Sequence, residues 1–281
     1  MTALQILRVL LIVIVIICGF GCVMQRDLIF PAEKLPADHR FGFIRAGEEV
    51  RLRASDGVEI DAIHYKRFGS RRVILYCHGN AGSLDSWGTI FEDLKYLETD
   101  LIVFDYRGYG KSGGKVTEKG LYRDAQAVYD YLRQAGYGDS DIIVYGRSIG
   151  TGVAVDVAQG KHLAGLILES PYHSLRGMLY REYWYMLPWF YLTFTLDNRA
   201  KLPKVPARVL ILHGTKDDVI AFKYGRMLTE SRSDSLAFVP ITGGGHNDLD
   251  AFPAKRKALE AFLGKDPGPS QAPSPAPPAA R

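Results

Sequence analysis

An α/β fold, with a mostly parallel central sheet flanked by helices, is what this sequence predicts, and three observations carry the prediction. Short, continuous apolar runs recur along the chain at 73–76, 101–104, 142–145, 166–168, 209–212 and 236–240. Runs of this length without alternation fit strands buried on both faces, as in a parallel sheet. Segments of helical period fall between several of them, the pattern of strand–helix–strand crossovers. Most runs also end directly in a polar or glycine-rich loop, the place where open α/β sheets bind ligands.

The N-terminal element stands apart from this pattern. Residues 9–24, VLLIVIVIICGFGCVM, are uncharged and follow Arg8. With residues 4–7 the span reaches about 20 residues, enough for a bilayer core. Gln25-Arg26-Asp27 closes it without an A-x-A-like processing site. A membrane anchor or signal-like helix over residues 1–25 is therefore expected, the anchor ahead of the cleaved signal. A lipid-modified Cys22 is a third reading, although Gly19-Phe20 fits a lipobox poorly. One arginine on each side sets no firm orientation. The expected location is a membrane, reached by this single segment, with a secreted or lipoprotein form as the alternative.

Next, Val50–Arg53 and Val58–Tyr65 flank Ser55-Asp56-Gly57 and read as an antiparallel strand pair. The 73–76 run leads into His78-Gly79-Asn80-Ala81-Gly82, and residues 84–97 read as one helix. The 101–104 run leads into Asp105-Tyr106-Arg107-Gly108-Tyr109-Gly110. Residues 117–134 follow as a helix with Leu121, Ala125, Val128 and Leu132 on one face. The 142–145 run enters Gly146-Arg147-Ser148, and a helix is expected after Gly150. The 166–168 run reaches Glu169-Ser170-Pro171, and the 209–212 run reaches His213-Gly214-Thr215-Lys216-Asp217. Pro253–Phe262 reads as the last helix.

Between two of these strands lies an insert, YHSLRGMLYREYWYMLPWFYLTF, with nine aromatic residues in the 23 positions from Tyr172 to Phe194. It reads as a small aromatic-rich cap over about 172–200. With Met178, Leu179, Met186 and Leu187 it could line an apolar acyl pocket, sit at a lipid interface, or simply pack on the sheet. The folded domain is expected over 26–264, followed by a disordered Pro-rich tail over 265–281.

Composition excludes several classes. The formal charge of +4 is spread along the chain without a basic block, which argues against a nucleic-acid partner. Three cysteines make no disulfide framework, and Cys77 reads as buried beside a strand end. Neither G-x-x-x-x-G-K-[ST] nor an opening G-x-G-x-x-G is present, so a nucleotide site is not expected. No H-E-x-x-H or similar spacing points to a metal.

The octapeptide YGRSIGTG, Tyr145–Gly152, raises a different chemistry. A serine held on a tight strand-to-helix turn has strained backbone angles, and glycines at both flanks relieve the collisions. Ser148 is thus the candidate nucleophile. Backbone N–H groups at the next helix's first turn face a developing oxyanion, so Ile149 is the expected donor. Asn80, in the loop after the 73–76 run, is the expected second donor. Serine needs a base, and the base needs an orienting acid. His246, in GGGHND, follows three glycines that permit a loop over the sheet edge. Asp217 is the expected acid, with its neighbour Asp218 and the strand-end Glu169 as alternatives. His78 and His213 read as structural, bonding loop backbone. His39, His64, His162 and His173 read as surface or supporting residues, and Arg147 and Thr151 receive no role.

Taken together and in order, HGNAG, DYRGYGKSGG, GRSIGTG, HGTKDDVI and GGGHND resemble the α/β-hydrolase superfamily. The likeness is nearest to its membrane-anchored branch of BEM46 and ABHD13/ABHD17-type proteins, and QRDLIFP, Gln25–Pro31, resembles that branch too. The resemblance implies an α/β-hydrolase fold, a Ser148, Asp217 and His246 triad, oxyanion donors at Asn80 and Ile149, and no cofactor. It implies a serine hydrolase acting on an ester, thioester or similar acyl bond of a small-molecule or lipid-like substrate. Amide hydrolysis of the aminopeptidase type and a non-catalytic membrane-anchored scaffold are the alternatives. The ABHD17-type relatives deacylate cysteines but attach to membranes through an N-terminal cysteine cluster, which this chain replaces with an apolar segment.

Overall fold

The apolar runs and the opening strand pair assemble into one eight-stranded sheet. The computed structural model describes residues 24–264 apart from 44–46, 68, 183–191 and 233, together with residues 5, 8, 12 and 13. The strands are β1 (Gly47–Arg53), β2 (Glu59–Tyr65), β3 (Val73–Cys77), β4 (Asp100–Phe104), β5 (Ile142–Arg147), β6 (Gly165–Glu169), β7 (Val209–Gly214) and β8 (Leu236–Ile241). Their order is β1-β2-β4-β3-β5-β6-β7-β8. β1 pairs antiparallel with β2, and β2 with β4, while every later pairing is parallel.

All five residues of β3 are buried, as its unbroken apolar run requires. Alternate side chains serve opposite layers. Val73, Leu75 and Cys77 join one core cluster, while Ile74 and Tyr76 join the other. The first layer is closed by α3 (Glu118–Gln134) and α4 (Gly150–Ala158). Thr117 caps α3 through its side chain, and Leu121, Ala125, Val128 and Leu132 are its buried face, as expected. α4 is buried almost all round because it lies between the sheet and α3. The second layer takes Leu84 and Leu94 together with Leu259 and Phe262 of α8 (Pro253–Gly264).

The single helix expected over 84–97 is instead α1 (Leu84–Trp87), α2 (Ile90–Leu94) and a 3₁₀ turn, Lys95–Leu97. Gly88 closes α1, and the Phe43 ring packs so tightly there that an added Cβ would stand 2.4 Å from it. The cap insert, for which packing on the sheet was one reading, carries α5 (Leu175–Glu182), and among the described residues α6 (Asn198–Lys201) and α7 (Phe222–Thr229) were not anticipated. His64, read as a surface or supporting residue, is buried on β2, where its Nδ1 meets the Tyr131 hydroxyl at 3.1 Å. Cys77 is buried at the end of β3.

Among the described residues no helix is long and apolar enough to cross a membrane. The expected anchor over 1–25 lies largely outside the described residues, as do the tail over 265–281 and cap residues Met186 and Leu187.

β3 has β4 on one side and β5 on the other, so the chain leaves its carboxyl end in one direction and that of β5 in another. A crevice opens at such a switch point, and the loops that follow β3 and β5 line it.

Candidate active site

Ser148 sits between β5 and α4 with φ at +54°, in the left-handed region that a non-glycine residue seldom occupies. The turn is held by Ser148 N–H donating to the Glu169 carbonyl at 2.9 Å. It is also held by the Thr151 hydroxyl, which donates to the Ser148 carbonyl at 2.7 Å, giving that threonine a role. The flanking glycines are required. A Cβ on Gly150 would stand 2.2 Å from the Cys77 carbonyl oxygen and 2.4 Å from that of His78. One on Gly146 would stand 2.6 Å from Ala154 Cβ and 2.7 Å from Thr151 Cα.

His246 arrives on a glycine loop that nests against the end of β7. A Cβ on Gly214 would lie 2.4 Å from the Gly244 carbonyl oxygen, and Lys216 N–H donates to that same oxygen at 2.8 Å. This close backbone approach brings the loops bearing Asp217 and His246 together. His246 Nε2 lies 3.0 Å from Ser148 Oγ, and His246 Nδ1 lies 2.8 Å from Asp217 Oδ2. Ser148, Asp217 and His246 are 9%, 7% and 8% exposed, so the contact is shielded from bulk water yet reachable.

Asp217 is further fixed by Val219 and Ile220 N–H groups, which donate to its Oδ1 at 3.0 and 2.8 Å. Burial alone would raise its pKa, but hydrogen bonds from His213 and His246 outweigh burial and hold the carboxyl well below the usual range. An ionised Asp217 accepts the Nδ1 proton, which leaves Nε2 as the acceptor facing the Ser148 hydroxyl. Asp218 is exposed. Glu169 is buried, with its carboxylate bound by Tyr145, Arg147 and Lys255 rather than by the imidazole.

His78 and His213 contact loop backbone as expected, at the Gly79 and Ile220 carbonyls, 2.6 and 2.7 Å away. Burial pushes His78 down to about 3, so it is neutral and holds no exchangeable charge near Ser148.

A cavity of about 470 Å³ lies over Ser148. Asn80 and Ile149 line it beside the hydroxyl, and Leu175, Met178 and Leu179 of α5 supply apolar walls. Sequence reasoning missed Leu28, Ile29, Trp87 and Val219, which also line it. Leu28 and Ile29 belong to residues 24–29, a helical stretch tied to the end of the cap, where Thr193 donates twice to Gln25 Oε1.

Residues 72–202 match the family model described as alpha/beta hydrolase fold. The chain is 33% identical over 199 residues to human alpha/beta hydrolase domain-containing protein 17B, covering 70% of this chain and 68% of that one. It is 34% identical over 200 residues to protein 17C of Xenopus tropicalis, covering 69% of this chain and 62% of that relative's length. An uncharacterized protein of Mycobacterium tuberculosis is 30% identical over 268 residues, covering 90% of this chain and 93% of that one. An esterase of Pyrococcus furiosus has a similar fold, with a TM-score of 0.66 at 19% identity over 84% of this chain and 97% of that one. So has an alpha-beta serine hydrolase homologue of Coxiella burnetii, with a TM-score of 0.58 at 19% identity over 79% of this chain and 98% of that one.

The sheet, the turn under Ser148 and these matches define the class: the chain belongs to the α/β-hydrolase family. Within that family its likeness falls on the branch of alpha/beta hydrolase domain-containing protein 17.

Proposed function

We propose that the chain is a serine hydrolase that cleaves an ester, thioester or similar acyl bond through an acyl-enzyme on Ser148. The observation that carries this reading is the unbroken path from Ser148 Oγ to His246 Nε2 and from His246 Nδ1 to Asp217, at the floor of a largely apolar cavity. His246 accepts the hydroxyl proton as Oγ attacks the acyl carbonyl. The imidazolium that forms is stabilised by Asp217, which also holds the tautomer. Asn80 and Ile149 N–H groups receive the tetrahedral oxyanion, the latter at the start of α4. The imidazolium then returns the proton to the leaving group. Water, activated by the same His246, attacks the acyl-enzyme and frees the acid.

The substrate class is an acyl group on a small or lipid-like molecule met at a membrane. Two large apolar side chains stand exposed at the cavity, Leu28 at 68% and Val219 at 60%. Leu28 lies four residues past the apolar run 9–24. An apolar rim joined to a membrane-seeking segment favours entry of an acyl chain from the lipid side. A non-catalytic scaffold would leave Ser148 and His246 out of reach, and the 3.0 Å contact speaks against it.

A labelled fluorophosphonate tests the reading. Wild type is expected to label covalently and Ser148→Ala not at all; equal labelling of both would remove Ser148 as the nucleophile. Acyl esters of graded chain length, assayed beside aminoacyl amides, distinguish an esterase from a peptidase.

A further inference from the structure

Arg147 precedes Ser148 and takes no part in the proton path, yet its guanidinium joins three parts of the molecule. Its Nε lies 3.4 Å from Glu169 Oε1 at the end of β6. Its Nη2 donates to Asn247 Oδ1 at 3.1 Å and to the His246 carbonyl at 3.5 Å. The Trp87 ring lies 5.3 Å from its centre. Glu169 binds a second cation, with Lys255 Nζ at 2.8 Å, and the Tyr145 hydroxyl donates to the same carboxylate. Lys255, near the start of α8, also reaches Asp250 at 2.6 Å. The two cations that share Glu169 thus end on one stretch of chain, Arg147 at 246–247 and Lys255 at 250.

We propose that Arg147, Glu169 and Lys255 form a buckle that fixes the His246 loop over Ser148, with Arg147 as a positioning residue for the hydrolysis proposed above. The loop needs outside ties. Gly243, Gly244 and Gly245 precede His246, and glycine brings neither side-chain packing nor backbone stiffness. The buckle ties the loop to the sheet through Arg147 and Glu169, and Lys255 of α8 joins Glu169 to Asp250. Two cations and two carboxylates balance, with Glu169 and Lys255 buried and Asp250 exposed, and pairing is how the buried charges are tolerated. Burial alone would raise the Glu169 carboxyl, but Lys255 and Arg147 outweigh it and keep the group ionised.

The proposal rests on Ser148 being the nucleophile, and the experiment separates the two. In the full chain, Arg147→Met is expected to lower kcat on a soluble p-nitrophenyl ester about tenfold to a hundredfold, the cost of a base displaced by about 1 Å. Arg147 also lines the cavity, so KM separates the two roles, and a positioning residue leaves it within about twofold. Arg147→Lys should recover part of kcat, since an ammonium still meets Glu169 but cannot span to Asn247 as well. An unchanged kcat overturns the buckle, as does a loss confined to KM, which would make Arg147 a substrate contact. A second readout needs no turnover: the low-field proton signal of His246 Nδ1–H, assigned by its loss in His246→Ala. It should broaden or shift in Arg147→Met, and an unaltered signal overturns the proposal. A wild-type protein that fails to label with fluorophosphonate counts against the nucleophile instead, and the proton signal still decides the buckle.

Discussion

At Gly150 the backbone leaves no room for a single carbon, because both carbonyl oxygens at the end of β3 point at its Cα from within 2.4 Å of where a Cβ would stand. Those oxygens are backbone atoms of Cys77, the last residue of β3, and of His78 just beyond it, and cannot retreat as a flexible side chain could. Gly150→Ala is therefore expected to lower unfolding free energy by about 3 kcal/mol, at the upper end for overpacking. Urea titration measures it, and an unmoved midpoint would show that α4 can slide off the sheet. The same scale explains which site residues were readable. Ser148, Asp217 and His246 each follow a strand end in a short polar or glycine-rich stretch, so their meeting could be anticipated from order alone. Asp217 was separable from Asp218 only in the fold, where one carboxylate turns inward to Val219, Ile220 and His246 while the other faces solvent. Arg147 was unreadable because its partners lie 22, 100 and 99 positions away at Glu169, Asn247 and His246, with no periodicity to betray them.

Among elements, residues 24–35 carry more of the site than their place after an apolar run implies. Glu33 N–H donates to the Gly82 carbonyl at 3.0 Å, and Gly110 N–H donates to the Glu33 carbonyl at 2.7 Å. Asn80 Nδ2 donates to the Ile29 carbonyl at 3.3 Å. The stretch thus straps the loop that bears Asn80 and lends Leu28 and Ile29 to the cavity wall. Leu28→Glu is expected to cut kcat/KM for octanoyl and longer esters about fivefold, roughly the loss of part of one apolar contact. Acetyl ester hydrolysis should be spared, so an equal loss on both substrates would mean that Leu28 supports the fold rather than the acyl chain. The strands were legible because doubly buried segments have no choice but to be apolar throughout. α7 was not, since Gly225 sits in its middle, where a Cβ would stand 2.2 Å from His213 Nδ1. Packing around His213 overrode helix propensity there, just as Phe43 against Gly88 divided the stretch expected to be one helix.

For the whole molecule, burial of charge sets how stability should vary with pH. Burial, with the nearby Glu49, pushes the Asp61 carboxyl up to about 7 despite Lys111. Burial likewise pushes Asp105 up to about 8. Each binds a proton in the folded state that the unfolded chain releases above about pH 3.9. Their contribution is complete below that value and is lost as pH rises through about 7 and 8. His78 acts in the opposite sense. Burial holds it near 3, so its contribution is complete above the unfolded value of about 6.5 and is lost as pH falls toward about 3. The two effects oppose each other in mild acid, and above about pH 6.5 the His78 contribution is constant while those of the two carboxyls still change. The melting temperature of the wild type should therefore fall between about pH 6.5 and 9, with each carboxyl contributing at most about 1.4 kcal/mol per pH unit. Asp105→Asn keeps the shape of the side chain but has no proton to lose. Its melting temperature should fall less steeply over the same range, so that the gap between variant and wild type closes or reverses as pH rises. Parallel curves for the two proteins would show that Asp105 is already ionised in the folded state, paired with the ring of His78 that stands 3.8 Å away.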